Sequence, residues 1–160
     1  MKNDISRREL GLDVRTWIDE EWVDYVCPSL FWPRLPRVPK TAEFAALARN
    51  RNVGIYPTVF PLPAWADDEK NPLKDSPQTR RRHQEELIQA ALKCYEDGAD
   101  GISTFNWGTY FPQGTIKQSP ANYSSNYGRS NVGYQKVLMA VHPALGSARL
   151  LRKFLNEKKQ

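Results

Sequence analysis

Cysteine and histidine are nearly missing from this chain, with two of each in 160 residues. Cys27 and Cys94 stand far apart, and neither has a second Cys or a His at metal-ligand spacing. That excludes a zinc finger or ribbon and a disulfide scaffold, and both side chains are expected as buried thiols. His83 and His142 have no Ser, Cys or acidic partner at a motif spacing, so neither a nucleophilic triad nor a metal site is expected. Long apolar runs are also lacking. No window approaches the roughly 18 consecutive apolar residues of a membrane-spanning helix. The run from Met1 to Arg8 leads into a polar segment and not into the apolar core of an export signal. The expected location is therefore the cytoplasm, with no membrane partner.

Charge is plentiful but not segregated. The net charge of +5 comes from basic residues scattered among acidic ones, with concentrations only at Arg80-Arg81-Arg82-His83 and from Arg149 to Lys159. The first cluster opens a helical pattern and the second closes one, so both are expected as solvated helix faces, and no nucleic-acid partner is expected.

With 40% hydrophobic and 26% charged residues, the composition is that of a folded globular chain, expected as one domain over residues 1–160. Asp13 is a candidate N-cap, followed by Val14, Trp17 and Ile18 at helical spacing in a short helix ending near Glu20. The run from Trp22 to Cys27 reads as a buried strand, Tyr25 included, stopping at Pro28-Ser29, and a loop holding Pro33, Pro36 and Pro39 follows. Thr41 is the expected cap of the next helix, whose Phe44, Ala45, Leu47 and Ala48 form an apolar stripe. A second strand runs from Val53 to Phe60, with Pro57 expected to end regular pairing. After a surface loop from Pro61 to Asp75, Ser76-Pro77 opens a helix with Leu87, Ile88, Ala91, Leu92 and Tyr95 at helical spacing, stopped by Gly98. Asp100 to Phe105 is the third strand, ending at Asn106-Trp107-Gly108, and a polar loop extends to Asn131. The helical pattern of Tyr134, Val137, Leu138 and Val141 breaks at Pro143, and a last helix carries Leu150, Leu151 and Phe154. Helices alternating with short apolar strands predict an α/β fold with about three parallel strands, neighbours in chain order, and flanking helices.

The segment from Gly98 to Gly108, Gly-Ala-Asp-Gly-Ile-Ser-Thr-Phe-Asn-Trp-Gly, preceded by a long helix, resembles the last strand of the glycosyl-hydrolase-like, family-10-type barrels of bacteria. In the same order, Asp13 to Ser29 is similar to the sixth-strand region of that group and Val53 to Pro61 to the seventh. The resemblance implies a partial (β/α) barrel, the C-terminal strands of a TIM barrel. A whole barrel needs about 250 residues, and roughly 200 is the practical minimum. Gly-Ala-Asp-Gly-Ile also occurs near the phosphate-binding strands of flavin and nucleotide barrels, but those need glycine-rich turns where Phe105, Asn106 and Trp107 stand here. No cofactor is expected.

In parallel barrels the working residues lie at the C-terminal strand ends and in the loops that follow. Here these are Ser29, Phe31 and Trp32, then Tyr56 and Thr58, then Asn106, Trp107 and Tyr110. Aromatic faces pack on the C–H face of a sugar ring while amides and hydroxyls bond its hydroxyls, so Asn106, Trp107, Tyr110, Trp32 and Tyr56 form the expected carbohydrate-binding set. The competing reading is that Trp32 and Trp107 only fill the barrel mouth.

Glycoside hydrolysis by the usual route requires two carboxylates, about 5–5.5 Å apart for retention or about 6.5–9.5 Å for inversion. No Asp or Glu stands at any of the three strand ends. Asp24 and Asp100 lie at the beginning or interior of strands and are expected to be structural, while Asp67, Asp68 and Glu69 read as a solvated turn. No catalytic residue is assigned. The expected function is a truncated or split glycoside-hydrolase-like segment that keeps part of a carbohydrate surface and is inactive by itself. The alternative is a non-enzymatic module that pairs through the open half-barrel, with a second copy of the chain or the missing N-terminal half as partner.

Overall fold

A computed structural model describes residues 12–29, 39–59, 77–104 and 140–157. Short helices and strands alternate along them: α1 (Val14–Asp19), β1 (Tyr25–Val26), α2 (Thr41–Ala48), β2 (Gly54–Ile55), β3 (Thr58–Val59), α3 (Pro77–Glu96), β4 (Ser103–Thr104), a 3-10 turn (His142–Gly146) and α4 (Ala148–Glu157). The architecture is mixed α/β, as the pattern predicts. The described strands do not close a barrel.

Both strand pairings are parallel. Tyr25 lies opposite Gly54 and Val26 opposite Ile55 in β1–β2, while Thr58 lies opposite Ser103 and Val59 opposite Thr104 in β3–β4. The chain from Gly54 to Val59 is therefore held on both sides. Towards β1, the amides of Gly54, Tyr56 and Thr58 donate to the carbonyls of Asp24, Val26 and Pro28 at 2.9, 2.9 and 2.8 Å. On the other side, the amides of Asp100 and Ser103 donate to the carbonyls of Ile55 and Pro57 at 2.9 and 3.0 Å. Pro57 interrupts pairing but does not end it, contrary to the sequence expectation. Proline lacks only the amide, and its carbonyl still accepts from Ser103.

The helix ends explain why the chain turns where it does. The Asp13 carboxylate accepts from the Thr16 amide at 3.3 Å and caps α1. At the other end of α1, Glu21 adopts φ 53°. The Glu21 and Trp22 amides there donate to the carbonyls of Ile18 and Trp17, a Schellman closure built on a non-glycine residue. The Glu21 carboxylate in turn accepts from the Asn52 amide at 3.3 Å, tying this corner to the lead-in of β2.

Thr41 does not cap α2. It is the first helical residue, and Lys40 precedes it without a side-chain cap. The Thr41 hydroxyl donates to the Pro39 carbonyl at 3.3 Å, and the side chain is fully buried. Gly98 stops α3 as expected: it has φ 95°, its amide donates to the Tyr95 carbonyl, and the Ala99 amide donates to the Cys94 carbonyl. A Cβ at Gly98 would also sit 3.0 Å from that of Ala45, so the turn ending α3 packs closely against α2.

Two apolar clusters flank the central strand. Ile18 of α1 and Ala48 of α2 pack with Val53 and Ile55, joined by the partly buried Val14, Val23, Val26, Phe44 and Leu47. Val59 packs with Leu87, Ile88, Ala91 and Leu92 of α3, Leu145 of the 3-10 turn and Leu151 of α4. The Tyr95 hydroxyl donates to the Leu145 carbonyl at 2.7 Å and pins α3 to the 3-10 turn. Burial pushes the Tyr95 phenol above its usual range.

Two expectations about burial fail for one reason. Val26 packs with the α1–α2 cluster, so the period-two alternation of a strand sends both neighbours, Tyr25 and Cys27, to the other face. Tyr25 is 61% exposed rather than core, and Cys27 is exposed rather than a buried thiol. Cys94 is buried as expected.

Candidate functional site

The face of the sheet turned away from the α1–α2 cluster is where the strands place their polar aromatic groups. Ile55 is buried against that cluster, so Gly54 and Tyr56 fall on the opposite face, beside Tyr25 across the β1–β2 ladder. The Tyr25 and Tyr56 rings meet edge to face, with centroids 5.9 Å apart and planes at 83°. This is the favoured geometry of an aromatic pair, and it orients both rings.

The Tyr56 ring fills space that most residues would occupy with a Cβ. A Cβ at Gly54 would lie 2.6 Å from Tyr56 Cε2, and one at Gly101 would lie 2.7 Å from Cε1 and 2.8 Å from Cδ1. The ring thus reaches across from its own strand to the lead-in of β4, with a glycine beneath each edge. It is still 38% exposed. Trp22, at the start of the β1 segment, is 69% exposed.

The approach to β4 is fixed by Asp100. Its amide donates to the Ile55 carbonyl, and its carboxylate accepts from the Ile55 amide at 2.8 Å. The side chain supplies the acceptor that a neighbouring strand's carbonyl would otherwise provide, which is the structural role expected of it. Asp100 is thereby engaged with the backbone through one carboxylate oxygen.

Of the residues expected to bind sugar, Tyr56 lies within the described structure, and Trp32, Asn106, Trp107 and Tyr110 lie outside it. Phe31 and the acidic run Asp67, Asp68 and Glu69 lie outside it as well. Ser29 is exposed and Thr58 is buried. Tyr25, Gly54 and Gly101 belong with Tyr56 but are absent from the expected set. Glycine inside a strand pattern, as in Val53-Gly54-Ile55 and Asp100-Gly101-Ile102, signals close approach of another group, and that signal was present in the sequence.

Groups elsewhere offer less chemistry. Burial pushes the Cys94 thiol up, opposed in part by the neighbouring Thr41 side chain, so the group stays a neutral thiol at pH 7. His142 opens the 3-10 turn and is exposed. Among the described residues, no three of His, Cys, Asp or Glu converge to hold a metal ion. Arg81, Arg82, Lys93, Arg149, Arg152 and Lys153 lie on exposed helix surfaces, with Arg82 paired to Glu86 at 2.8 Å and Arg152 to Glu96 at 3.9 Å. No described helix is long and apolar enough to cross a membrane.

No family model, no curated protein and no solved structure matches this chain.

Proposed function

We propose that this chain is a segment of a glycoside-hydrolase-like, family-10-type (β/α) barrel, carrying part of a carbohydrate-binding surface and inactive in catalysis by itself. The observation that carries the reading is the Tyr25–Tyr56 pair on the open face of parallel strands, one ring seated over two glycines. Tyrosine rings present an apolar face to the C–H groups of a sugar and a hydroxyl to its polar edge, at low cost in side-chain entropy. The alternation of helices with parallel strand pairs supports the barrel, whose central strand is bonded on both sides. The bond from the Ile55 amide to the Asp100 carboxylate favours a structural role for that acid.

Titration of a panel of soluble oligosaccharides by calorimetry tests the reading. Binding weakened several-fold by Tyr56→Ala and by Trp107→Ala is the expected result. Failure of every oligosaccharide to bind the full chain would reject it.

A second reading rests on a different observation. Trp22 and Tyr25 are 69% and 61% exposed along the β1 segment, more apolar ring surface than a strand normally leaves in water. On this reading the chain is a non-enzymatic module whose open sheet pairs with a second copy or with the rest of a barrel.

A further inference from the structure

We infer that Gly54 and Gly101 are positioning residues for Tyr56, laying its ring across the sheet as a platform for the flat face of a pyranose whose ring substituents are equatorial. The inference rests on the carbohydrate reading for its ligand, but its geometry stands apart from that reading. Neither glycine is demanded by the backbone, because neither has the positive φ that favours glycine, unlike Gly98 at 95°. Alanine would therefore be tolerated at both positions on conformational grounds and would disfavour the unfolded chain. What excludes it is the Tyr56 ring, which an added Cβ would meet at 2.6 Å from one side and 2.7 Å from the other. Two glycines, one opening β2 and one in the lead-in of β4, thus share one structural reason.

The consequence for recognition follows from where the ring is held. An upright tyrosine on a strand would offer an edge. Tyr56, lowered over two glycines, keeps 38% of its surface exposed while its position is bounded by Gly54 and Gly101 below and by Tyr25 standing at 83° beside it. A floor with a perpendicular wall accepts a ring that is flat on one side. A pyranose with equatorial substituents has two such apolar C–H faces, whereas axial hydroxyls or an axial linkage break the contact.

The test separates the seat from the ligand. Melting midpoints are measured for Gly101→Ala, Tyr56→Ala and the double variant, and cellohexaose and maltohexaose are titrated against the wild-type chain and Gly101→Ala. Gly101→Ala is expected to lower the midpoint by about 3 °C or more through overpacking, and to have no such effect once Tyr56 is alanine. Equal effects of Gly101→Ala in both backgrounds would overturn the seat. Wild type is expected to favour cellohexaose, and Gly101→Ala to weaken it about three- to ten-fold. Equal affinity of wild type and Gly101→Ala for cellohexaose, or a preference for maltohexaose, would overturn the platform while leaving carbohydrate binding intact. Absence of binding to either hexaose, with the melting effects still coupled, would reject the ligand and retain the seat.

Discussion

Asp100 and Ile55 exchange two hydrogen bonds across the sheet, amide to carbonyl at 2.9 Å in one direction and amide to carboxylate at 2.8 Å in the other. A side chain here completes a backbone ladder that the chain entering β4 would otherwise leave short of one acceptor.

Asp100→Asn keeps an oxygen that can accept from Ile55, whereas Asp100→Ala leaves that amide without its acceptor. The alanine variant is expected to lose about 1–3 kcal/mol of stability and the asparagine variant markedly less. Denaturant unfolding of both checks this, and equal losses would mean that the carboxylate charge rather than its acceptor oxygen matters.

The element order, the helix stops and the parallel pairing were legible because they rest on local signals: Asp13 as a cap, Gly98 in the left-handed region, and apolar residues at helical spacing in α3. The faces of β1 were not. Trp22 to Cys27 is apolar at nearly every position, so the run carries no alternation from which to tell inside from outside, and only packing of Val26 against α1 and α2 assigns the phase. Tyr56 was legible as a candidate because it stands near a strand end. Its partners were not, because Gly101 lies 45 residues away and a glycine does not state which ring it makes room for.

Tyr95 joins α3 to the 3-10 turn through a single bond to the Leu145 carbonyl, and Leu145 is buried. Tyr95→Phe preserves the ring packing and removes the donor. The expected loss is about 1 kcal/mol, read as a lower melting midpoint with an unchanged denaturant slope. A stability equal to wild type would show that water replaces the phenol at that carbonyl.

The two cysteines should behave as opposites. Cys27 is exposed and should react with an aromatic disulfide reagent in the folded state, whereas Cys94 should react only on unfolding. Burial raises the Cys94 pKa, so the native state holds its proton to a higher pH than the unfolded chain, in which the thiol titrates near about 8.5. Stability from this group is complete below that pH and is lost as pH rises through the raised native value, at up to about 1.4 kcal/mol per pH unit. The partly buried Tyr95, whose pKa is also raised by burial, adds a loss in the same direction at higher pH. Melting of wild type and Cys94→Ala from pH 7 to 10 should show the steeper alkaline decline in wild type. Parallel curves would assign the decline to other groups.

The remaining prediction concerns the open sheet. Parallel sheets are normally covered on both faces and closed or protected at both edges. Among the described residues, β1 pairs only with β2 and β4 only with β3, while Trp22 and Tyr25 expose most of their surface beside the β1 edge. Burying one large side chain is worth about 1.5–3 kcal/mol, so the two rings together account for a sizeable part of the roughly 5–15 kcal/mol margin of a domain. The chain is therefore expected to self-associate, and its melting midpoint to rise with concentration because association favours the folded state. Sedimentation between about 1 and 100 μM, with melting alongside, reads both effects. Trp22→Lys combined with Tyr25→Lys should shift the population towards monomer, because two cations on one edge repel their counterparts in a symmetric pairing and cost charge burial in any other. A monomer at every concentration, melting at one temperature, would show that the exposed rings of Trp22 and Tyr25 are stable in water and would remove the paired-module reading.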